Sequence, residues 1–302
     1  MSNTILLLFR IKLKKGGLLL LAIAATFFSY AQDPEEDNID LILDELFFNE
    51  AQFIEDILDS FKDRDFIYTN LSYNSNTYFS GRDSGVDQFS LIPQFTYNHK
   101  SGFNASISGI YYEKFSPSWD FTTVSLNYYN TIGKKKQLHF TTGYSRYIYS
   151  DGWDIFTNSL DASIGIRNKE HSLGSTITGN FLFGTEHSFQ LISNSYFKQT
   201  LFKSKKYRVN VKPQISLLIA QQTIGLEQLI TQGDGGDFEI IYHDIFDLLN
   251  TQLNLPVSIT SKSWDASIAY IFNFPSAVAT ETDLNTSGYL NISVGYLIDL
   301  KK

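Results

Sequence analysis

Residues 88–111 read QFSLIPQFTYNHKSGFNASISGIY, and this stretch decides the fold. Apolar or aromatic residues alternate with small polar ones on both sides of the turn at 98–102. Because side chains of a β-strand point alternately to opposite faces, this period of two predicts two strands joined by a hairpin. Each run is about 9–11 residues long, enough to cross a bilayer as a tilted strand, whereas strands in soluble sheets usually have about 5–6.

The same alternation recurs along residues 66–302 and predicts twelve strands, an even number as in single-chain bacterial barrels. Every second connection is short and mostly cationic, and the first four of these start at 98, 133, 168 and 203, a constant step of 35 residues. A hairpin plus its return strand gives such a period. We therefore predict an all-β fold: a 12-stranded antiparallel transmembrane β-barrel with short periplasmic turns and longer outer loops.

The longest connection, residues 221–250, is compatible with two conformations. The glycine-rich stretch 233–237 is suited to the turn of a long hairpin that extends strands nine and ten. Alternatively, residues 244–250 form a short helix and the loop folds inward as a constriction. The Asp/Gly cluster lacks the spaced oxygen ligands of a calcium loop, so we predict no metal site here.

Residues 1–31 carry the pattern of a secretory signal peptide. Arg10, Lys12, Lys14 and Lys15 precede an apolar run at 18–28, and Ser29-Tyr-Ala31 supplies small residues before a cut at Gln32. The apolar run is too short for a membrane-spanning helix of about 20 residues. The chain contains no cysteine, which excludes a disulfide scaffold and a cysteine-ligated metal.

Residues 32–65 form a strongly acidic segment between the signal peptide and the barrel. The whole chain has a net charge of −8, yet residues 33–65 hold 13 acidic residues against Lys62 and Arg64, so that this segment alone carries −11. Apolar residues at spacings of three and four predict one or two amphipathic helices within 39–61. The candidate contact residues on the apolar stripe are Leu43, Phe47, Ile54, Leu58 and Phe61.

The location of this acidic segment is predicted to be periplasmic, and three roles for it remain open. It contacts a periplasmic or outer-membrane protein partner, it plugs the lumen or periplasmic mouth of its own barrel, or it contacts nothing. A helix lying on the membrane surface is disfavoured, because the polar face of such a helix is basic.

The predicted lumen carries ionisable residues on its polar faces. A ring of charge in a pore tunes ion selectivity, although polar residues line any barrel interior and pair with one another. Twelve strands enclose a narrow interior that would pass only small solutes. The lumen-lining candidates are His139, Asp161, Arg167, Arg208, Lys212 and Asp265.

The carboxyl end, Ser293-Val-Gly-Tyr-Leu-Ile-Asp-Leu300, resembles the terminal signal of bacterial outer-membrane β-barrel proteins. It departs from the commonest form, because its last residues are aliphatic rather than Phe and two lysines follow them. The resemblance covers residues 66–302 and is to the class rather than to a narrower family. It implies a bacterial outer-membrane location in contact with lipid, recognition of the last strand by the outer-membrane insertion machinery, and no nucleic-acid partner.

Some twelve-stranded outer-membrane barrels are phospholipases or lipid A-modifying enzymes, and the phospholipases place His and Ser two positions apart on a strand. Here the pairs are His171-Ser172 and His187-Ser188, which are adjacent and would point to opposite faces. We therefore predict a non-enzymatic barrel without a cofactor, although an esterase or lipid-modifying barrel stays a third hypothesis. The leading hypothesis is a structural or accessory component of an envelope assembly, and the alternative is a small-solute channel gated by 32–65 or by 221–250.

Overall fold

The fold was analysed in a computed structural model. The signal peptide and the acidic segment, with the contact candidates Leu43, Phe47, Ile54, Leu58 and Phe61, lie outside the residues that the structure describes. Among the described residues, no helix has the length and hydropathy needed to cross a bilayer. The described ranges are 64–83, 86–133, 135–152, 155–230, 237–278, 281–282 and 284–300, and of side chains within 222–245 none is described.

Twelve antiparallel strands form one closed barrel, as the sequence predicts. Each strand pairs with its neighbours in chain order, and the last strand pairs with the first, in a register running from Phe66 opposite Asp299 to Asn74 opposite Asn291. Two barrel strands are interrupted. The eighth consists of two segments, β10 (His187–Phe197) and β11 (Gln199–Lys203), and the ninth consists of β12 (Tyr207–Val211) and β13 (Gln214–Ile230). The strands are β1 (Phe66–Asn74), β4 (Ser90–Asn98), β5 (Phe103–Tyr112), β6 (Trp119–Ile132), β7 (Leu138–Tyr149), β8 (Asn158–Arg167), β9 (Leu173–Phe183), β10 (His187–Phe197), β11 (Gln199–Lys203), β12 (Tyr207–Val211), β13 (Gln214–Ile230), β14 (Asp237–Ser261), β15 (Trp264–Pro275) and β16 (Ser287–Asp299).

The two ends of the barrel differ. One end, here the turn end, carries the five short connections together with Asp65 and Leu300; the other, the loop end, carries the longer connections. Asn98, at the turn end of β4, holds the chain where it enters the barrel, because its side-chain amide donates to the Arg64 carbonyl at 3.3 Å. The amino and carboxyl ends of the barrel therefore meet at one rim.

The outer face of the barrel is apolar and the inner face is largely polar along every strand. On β6, the outward-facing side chains of Val124 and Leu126 are 41% and 62% exposed, whereas the inward-facing side chain of Thr123 on the same strand is buried. Aromatic pairs lie near both ends of this outer band, for example Phe103–Tyr128 with ring centroids 4.8 Å apart and Tyr270–Phe272 at 4.7 Å. An apolar belt with aromatic rims is the surface that a transmembrane barrel presents to lipid.

The long connection at 221–250 is a hairpin, which confirms one of the two predicted conformations. Strands β13 and β14 pair from Gln214–Asn254 as far as Ile230–Asp237, with a register shift at Leu218. The alternative helix at 244–250 is wrong, since these residues belong to β14, and strand ten is much longer than the predicted 253–259. The pairing of this hairpin continues past the points where the neighbouring strands β10 and β15 stop pairing with it.

The first strand ends earlier than its sequence pattern indicates. We expected it to run from 66 to 79, but β1 ends at Asn74 and the chain then forms a small separate hairpin, β2 (Tyr78–Phe79) and β3 (Arg82–Asp83). Phe79 and Ser80 are buried, at 2% and 3% exposure. This hairpin therefore packs inside the loop end of the barrel rather than standing above it.

Candidate functional site in the lumen

The loop end of the lumen is closed by an ion pair between Arg82 on β3 and Glu281. Arg82 donates from Nε to Oε1 at 2.9 Å and from Nη2 to Oε2 at 2.8 Å, and the two side chains are only 16% and 18% exposed. The guanidinium also donates to the carbonyls of Ser80, Leu249 and Ser276, at 3.3, 3.3 and 3.0 Å. Hairpin β2–β3 is thereby attached to the β14 wall and to the loop after β15.

The turn of this hairpin explains how it fits so close to the wall. Ser80 and Gly81 both have positive φ, 47° and 77°, as in a two-residue turn of type I′. A Cβ at Gly81 would lie 2.6 Å from Oδ1 of Asn250, so only glycine allows this approach. The Ser287 hydroxyl donates to the Gly81 carbonyl at 3.1 Å and attaches the tip to the start of β16.

Apolar side chains fill the lumen around the hairpin. Phe79 stacks on Phe115, with ring centroids 6.4 Å apart and planes at 7°. One cluster of buried side chains comes from β4, β5, β6, β7, β9 and the loop before β8, and a second from β10, β13, β14 and the loop after β15. The clusters are Ile92, Ile110, Tyr112, Phe121, Tyr147, Phe156 and Leu182, and Ile192, Leu218, Ala220, Leu249 and Val278. We call the hairpin, the Arg82–Glu281 pair and these two clusters the loop-end seal.

The carboxyl group of Glu281 is held in its charged form. Burial opposes ionisation, but hydrogen bonds from Arg82 and from the Val278 amide, at 3.0 Å, together with the Arg82 charge, outweigh it, so the pKa of Glu281 lies below its usual value. The ion pair therefore persists through neutral and mildly acidic pH.

The turn end of the lumen contains a cavity of about 420 Å³. Its floor includes Ile92, which also belongs to the apolar cluster of the loop-end seal, and its mouth includes the turn residues Lys203 to Lys206. Between them the walls are polar, with side chains such as Asn70 and Gln94. The cavity thus lies in the turn-end half of the described lumen and reaches the turn residues at the rim.

This turn-end cavity is strongly cationic. Among the described residues, seven Lys and Arg side chains line it, against one acidic residue, Asp265. Asp265 accepts hydrogen bonds from the Tyr68 hydroxyl, at 3.3 and 3.2 Å, and the Lys212 ammonium lies 4.4 Å from the centroid of the Tyr196 ring. The seven are Lys198, Lys203, Lys205, Lys206, Arg208, Lys212 and Lys262.

The six lumen candidates fall into two groups. Arg208, Lys212 and Asp265 line the turn-end cavity. The other three lie on inward positions of β7 and β8: His139 Nε2 is 3.3 Å from the Thr176 hydroxyl, Arg167 Nε donates to the Lys136 carbonyl at 3.3 Å, and Asp161 lies over Gly143. The structure therefore does not bring the six together in one ring of charge.

The loop-end seal was missed at the level of sequence, although signals for it exist. Ile110 and Tyr147 are apolar residues on faces that are otherwise polar, so the strands become apolar on both faces as they approach the loop end. That change indicates burial on both sides. Ser80-Gly81 is also a recognised turn signal. Nothing local, however, pairs Arg82 with Glu281 across 199 positions.

The described residues bring a serine within hydrogen-bond distance of a histidine: in the turn at 98–102, His99 Nδ1 is 2.6 Å from the Ser101 hydroxyl, and His99 Nε2 is 3.9 Å from Asp65 Oδ1. Within the described residues, no group of three or more His, Asp or Glu residues could hold a metal ion. His187 is exposed and Ser188 is buried, so the two side chains of this adjacent pair point to opposite faces of β10. His171 has a φ of 53° in the turn before β9.

No protein-family model matches this sequence, and no curated protein matches it significantly. The solved structures similar to it are bacterial outer-membrane β-barrel proteins. The NanC porin has 10% identity and a TM-score of 0.45, over 76% of this chain and 98% of that one. An outer membrane channel from Pseudomonas putida F1 has 7% identity and 0.45, over 78% and 96%. LpxR from Salmonella typhimurium has 8% identity and 0.45, over 76% and 99%.

The likeness is one of fold. No narrower family is indicated by these structures.

Proposed function

We propose that the chain is a bacterial outer-membrane barrel that is closed at rest and acts, without enzymatic activity, as a structural or accessory component of an envelope assembly. The apolar belt, the signal-peptide pattern and the carboxyl-terminal motif support the location. In this orientation the turn end faces the periplasm, so the acidic segment 32–65 leaves the barrel there, as a periplasmic contact or plug. The insertion machinery of the outer membrane would recognise the chain by its last strand, β16.

The observation that carries the proposal is the loop-end seal. Arg82 and Glu281 attach an inward hairpin to the wall, and apolar side chains fill the lumen on both sides of it. A permanently open pore needs a continuous passage, and here the inward hairpin and the two apolar clusters occupy the loop-end half of the lumen.

The second candidate is a small-solute channel, and the cationic turn-end cavity favours it. Displacement of hairpin β2–β3 would extend this cavity through the loop end, and its positive charge would select anions. In that case the gate is the hairpin rather than the connection 221–250, whose strands extend beyond the barrel.

The third hypothesis, an esterase or lipid-modifying barrel, requires a nucleophile with a base within hydrogen-bond reach. Ser101 has such a base, because its hydroxyl is 2.6 Å from His99 Nδ1, but this pair lies on an exposed turn and does not line the turn-end cavity. His139 contacts a threonine hydroxyl inside the barrel, and the side chains of His187 and Ser188 point to opposite faces of β10. We therefore favour anchoring or gated passage over catalysis.

Single-channel recording in planar bilayers tests the proposal with the full chain. We expect no conductance steps at low voltage, because the loop-end seal is intact. A chain lacking residues 39–61 should be equally silent, since the seal lies at the opposite end of the barrel from this segment. Regular, long-lived steps from the full chain would overturn the closed-barrel proposal and establish the channel.

Affinity purification from envelopes tests the accessory role. The full chain and the chain lacking 39–61 are purified in parallel, after gel mobility has shown that both barrels are folded. An envelope protein that co-purifies stoichiometrically with the full chain supports the role. Recovery of the full chain alone under cross-linking conditions would contradict it.

A further inference from the structure

We propose that the turn-end cavity is the binding site for residues 54–61 of the same chain. This inference deepens the proposed function and rests on its assignment of the turn end to the periplasm, where the acidic segment leaves the barrel. It commits to the plug alternative for that segment. Three features identify residues 54–61 as the occupant: their charge, their apolar stripe and their short distance from the point where the chain enters the barrel.

Charge complementarity is the first argument. The cavity is lined by seven cations against Asp265, while residues 33–65 carry a net charge of −11. No salt bridge joins Lys203, Lys205, Lys206 or Arg208 to an acidic residue within the described part of the chain. Like charges gathered in a concave, partly desolvated site repel one another, so a bound anion stabilises them.

The attachment point is the second argument. The chain enters the barrel at Arg64 and Asp65, which are fixed to the turn-end rim: Arg64 pairs with Asp299 at 3.1 Å, and the Asp65 side chain accepts from the Lys100 amide at 2.8 Å. Tyr68 and Asn70, only a few residues further on β1, already line the cavity. At about 3.3 Å per residue, residue 61 begins within about 25 Å of the cavity wall.

The shape and polarity of the site are the third argument. Apolar and cationic side chains both line the cavity: Ile92 and Ala269 lie on its loop-end side, whereas Leu297 lies at the turn-end rim, where its amide donates to the Ser263 carbonyl at 2.8 Å. The sequence 54–61 has the matching pattern, with Ile54, Leu58 and Phe61 at helical spacing and Glu55, Asp56 and Asp59 between them. A cavity of 420 Å³ accommodates a few such side chains and not the whole of 32–65.

We therefore expect residues 54–61, which are closest to the rim, to bind in the cavity rather than the more distant residues 39–53. A short tether raises the effective concentration of 54–61 at the cavity far above that of a free peptide, because binding becomes intramolecular. Residues 39–53 remain available to the periplasm in this arrangement. The cavity is occupied by the chain's own anion, and an external anion must displace it.

Cysteine accessibility tests the inference, since the chain has no native cysteine. Ser258→Cys places a thiol in the cavity wall with little change in size and none in charge. Lys135→Cys, on an exposed turn that does not line the cavity, is the matched control. Each is made in the full chain and in a chain that also carries Glu55→Gln, Asp56→Asn and Asp59→Asn, and is labelled with a charged maleimide.

We expect neutralisation of these three carboxylates to speed labelling of Ser258→Cys about tenfold, because each screened ion pair contributes a modest and roughly additive amount. Labelling of Lys135→Cys should be unchanged. Raising the salt concentration to about 1 M, where the Debye length falls to about 3 Å, should speed labelling of the unneutralised Ser258→Cys chain as well.

Equal labelling rates for Ser258→Cys with and without the three carboxylates would overturn the inference. Protection seen only in native envelopes, and lost on purification, would assign the cavity to an external partner and overturn it too. Neither outcome touches the closed-barrel proposal, because conductance reports on the loop-end seal and labelling reports on the turn-end cavity.

Discussion

Arg82 and Glu281 are 199 positions apart in sequence, yet they form a two-pronged ion pair with bonds of 2.9 and 2.8 Å inside the loop end of the barrel. The pair links a hairpin that follows the first strand to the loop that precedes the last one. It therefore fixes the closed state of the lumen across the seam where the barrel joins its own ends.

Replacing Arg82 with Ala should open the lumen. The change removes both bonds to Glu281 and three to backbone carbonyls, and leaves a partly buried carboxylate without its guanidinium; we expect a loss of about 2–3 kcal/mol in unfolding free energy. Conductance steps should appear in planar bilayers. Arg64→Ala, which removes an exposed ion pair at the turn end, is the control and should cost at most about 1 kcal/mol. A silent Arg82→Ala barrel would mean that the apolar clusters alone close the lumen.

The stabilising effect of Glu281 should depend on pH in a defined direction. Because its pKa is lowered in the folded protein, its contribution is complete above the unfolded carboxyl pKa of about 4.3 and is lost as the pH falls through the folded value. Urea unfolding of the parent and of Glu281→Gln should therefore differ at pH 7 and converge in strong acid. A difference that grows on acidification would contradict the assigned ion pair.

The outer belt makes a depth-dependent prediction on β6. Leu126 is 62% exposed near the middle of the strand and Ile132 is 47% exposed at its turn end. Leu126→Arg should cost about 2–4 kcal/mol in lipid, and Ile132→Arg about 0–1, because the cost of a charge falls toward the interface. Unfolding in phospholipid vesicles measures both. Equal costs at the two positions would show that this face does not lie in a bilayer.

Gly295 on β16 should not tolerate a side chain. A Cβ there would overlap the Tyr68 ring and hydroxyl and would lie 2.6 Å from Asp265 Oδ1, so Gly295→Ala is expected to cost about 1–3 kcal/mol. Gly179→Ala, where the nearest atom is 3.5 Å away on Phe189, is the control with little effect. Tyr68→Ala should cost less in the Gly295→Ala background than in the parent, because the overlap disappears with the ring. Unfolding midpoints of these single and double variants decide the matter.

The sequence predicted the barrel wall well because alternation is a local property. Val124 and Leu126 face outward and His139 inward as their positions in the pattern indicate, since each strand repeats the same two-residue period. The content of the lumen was harder to predict, because it depends on long-range contacts. Asn74 ends β1 where a hairpin turns inward toward Asn250 and Glu281, and no pattern around residue 74 encodes partners so distant.

The turn-end cavity was predictable in part. Arg208, Lys212 and Asp265 were selected for their polar faces, and they do share one cavity. Lys203, Lys205 and Lys206 were seen only as a cationic turn, because the sequence does not show that this turn forms the mouth of the cavity. The charges of a turn form part of a binding site only when the curvature of the barrel wall brings them together around one cavity.

The unequal filling of the two halves of the barrel determines where an electric field would act. The turn-end cavity is lined by charged and polar groups and opens to the solution at the turn end, so a voltage across the membrane falls mainly over the loop-end half, which the two apolar clusters fill. Arg82 and Glu281 lie in that half, and a field pulls their opposite charges in opposite directions. The lysines of the cavity, in contrast, experience little of it.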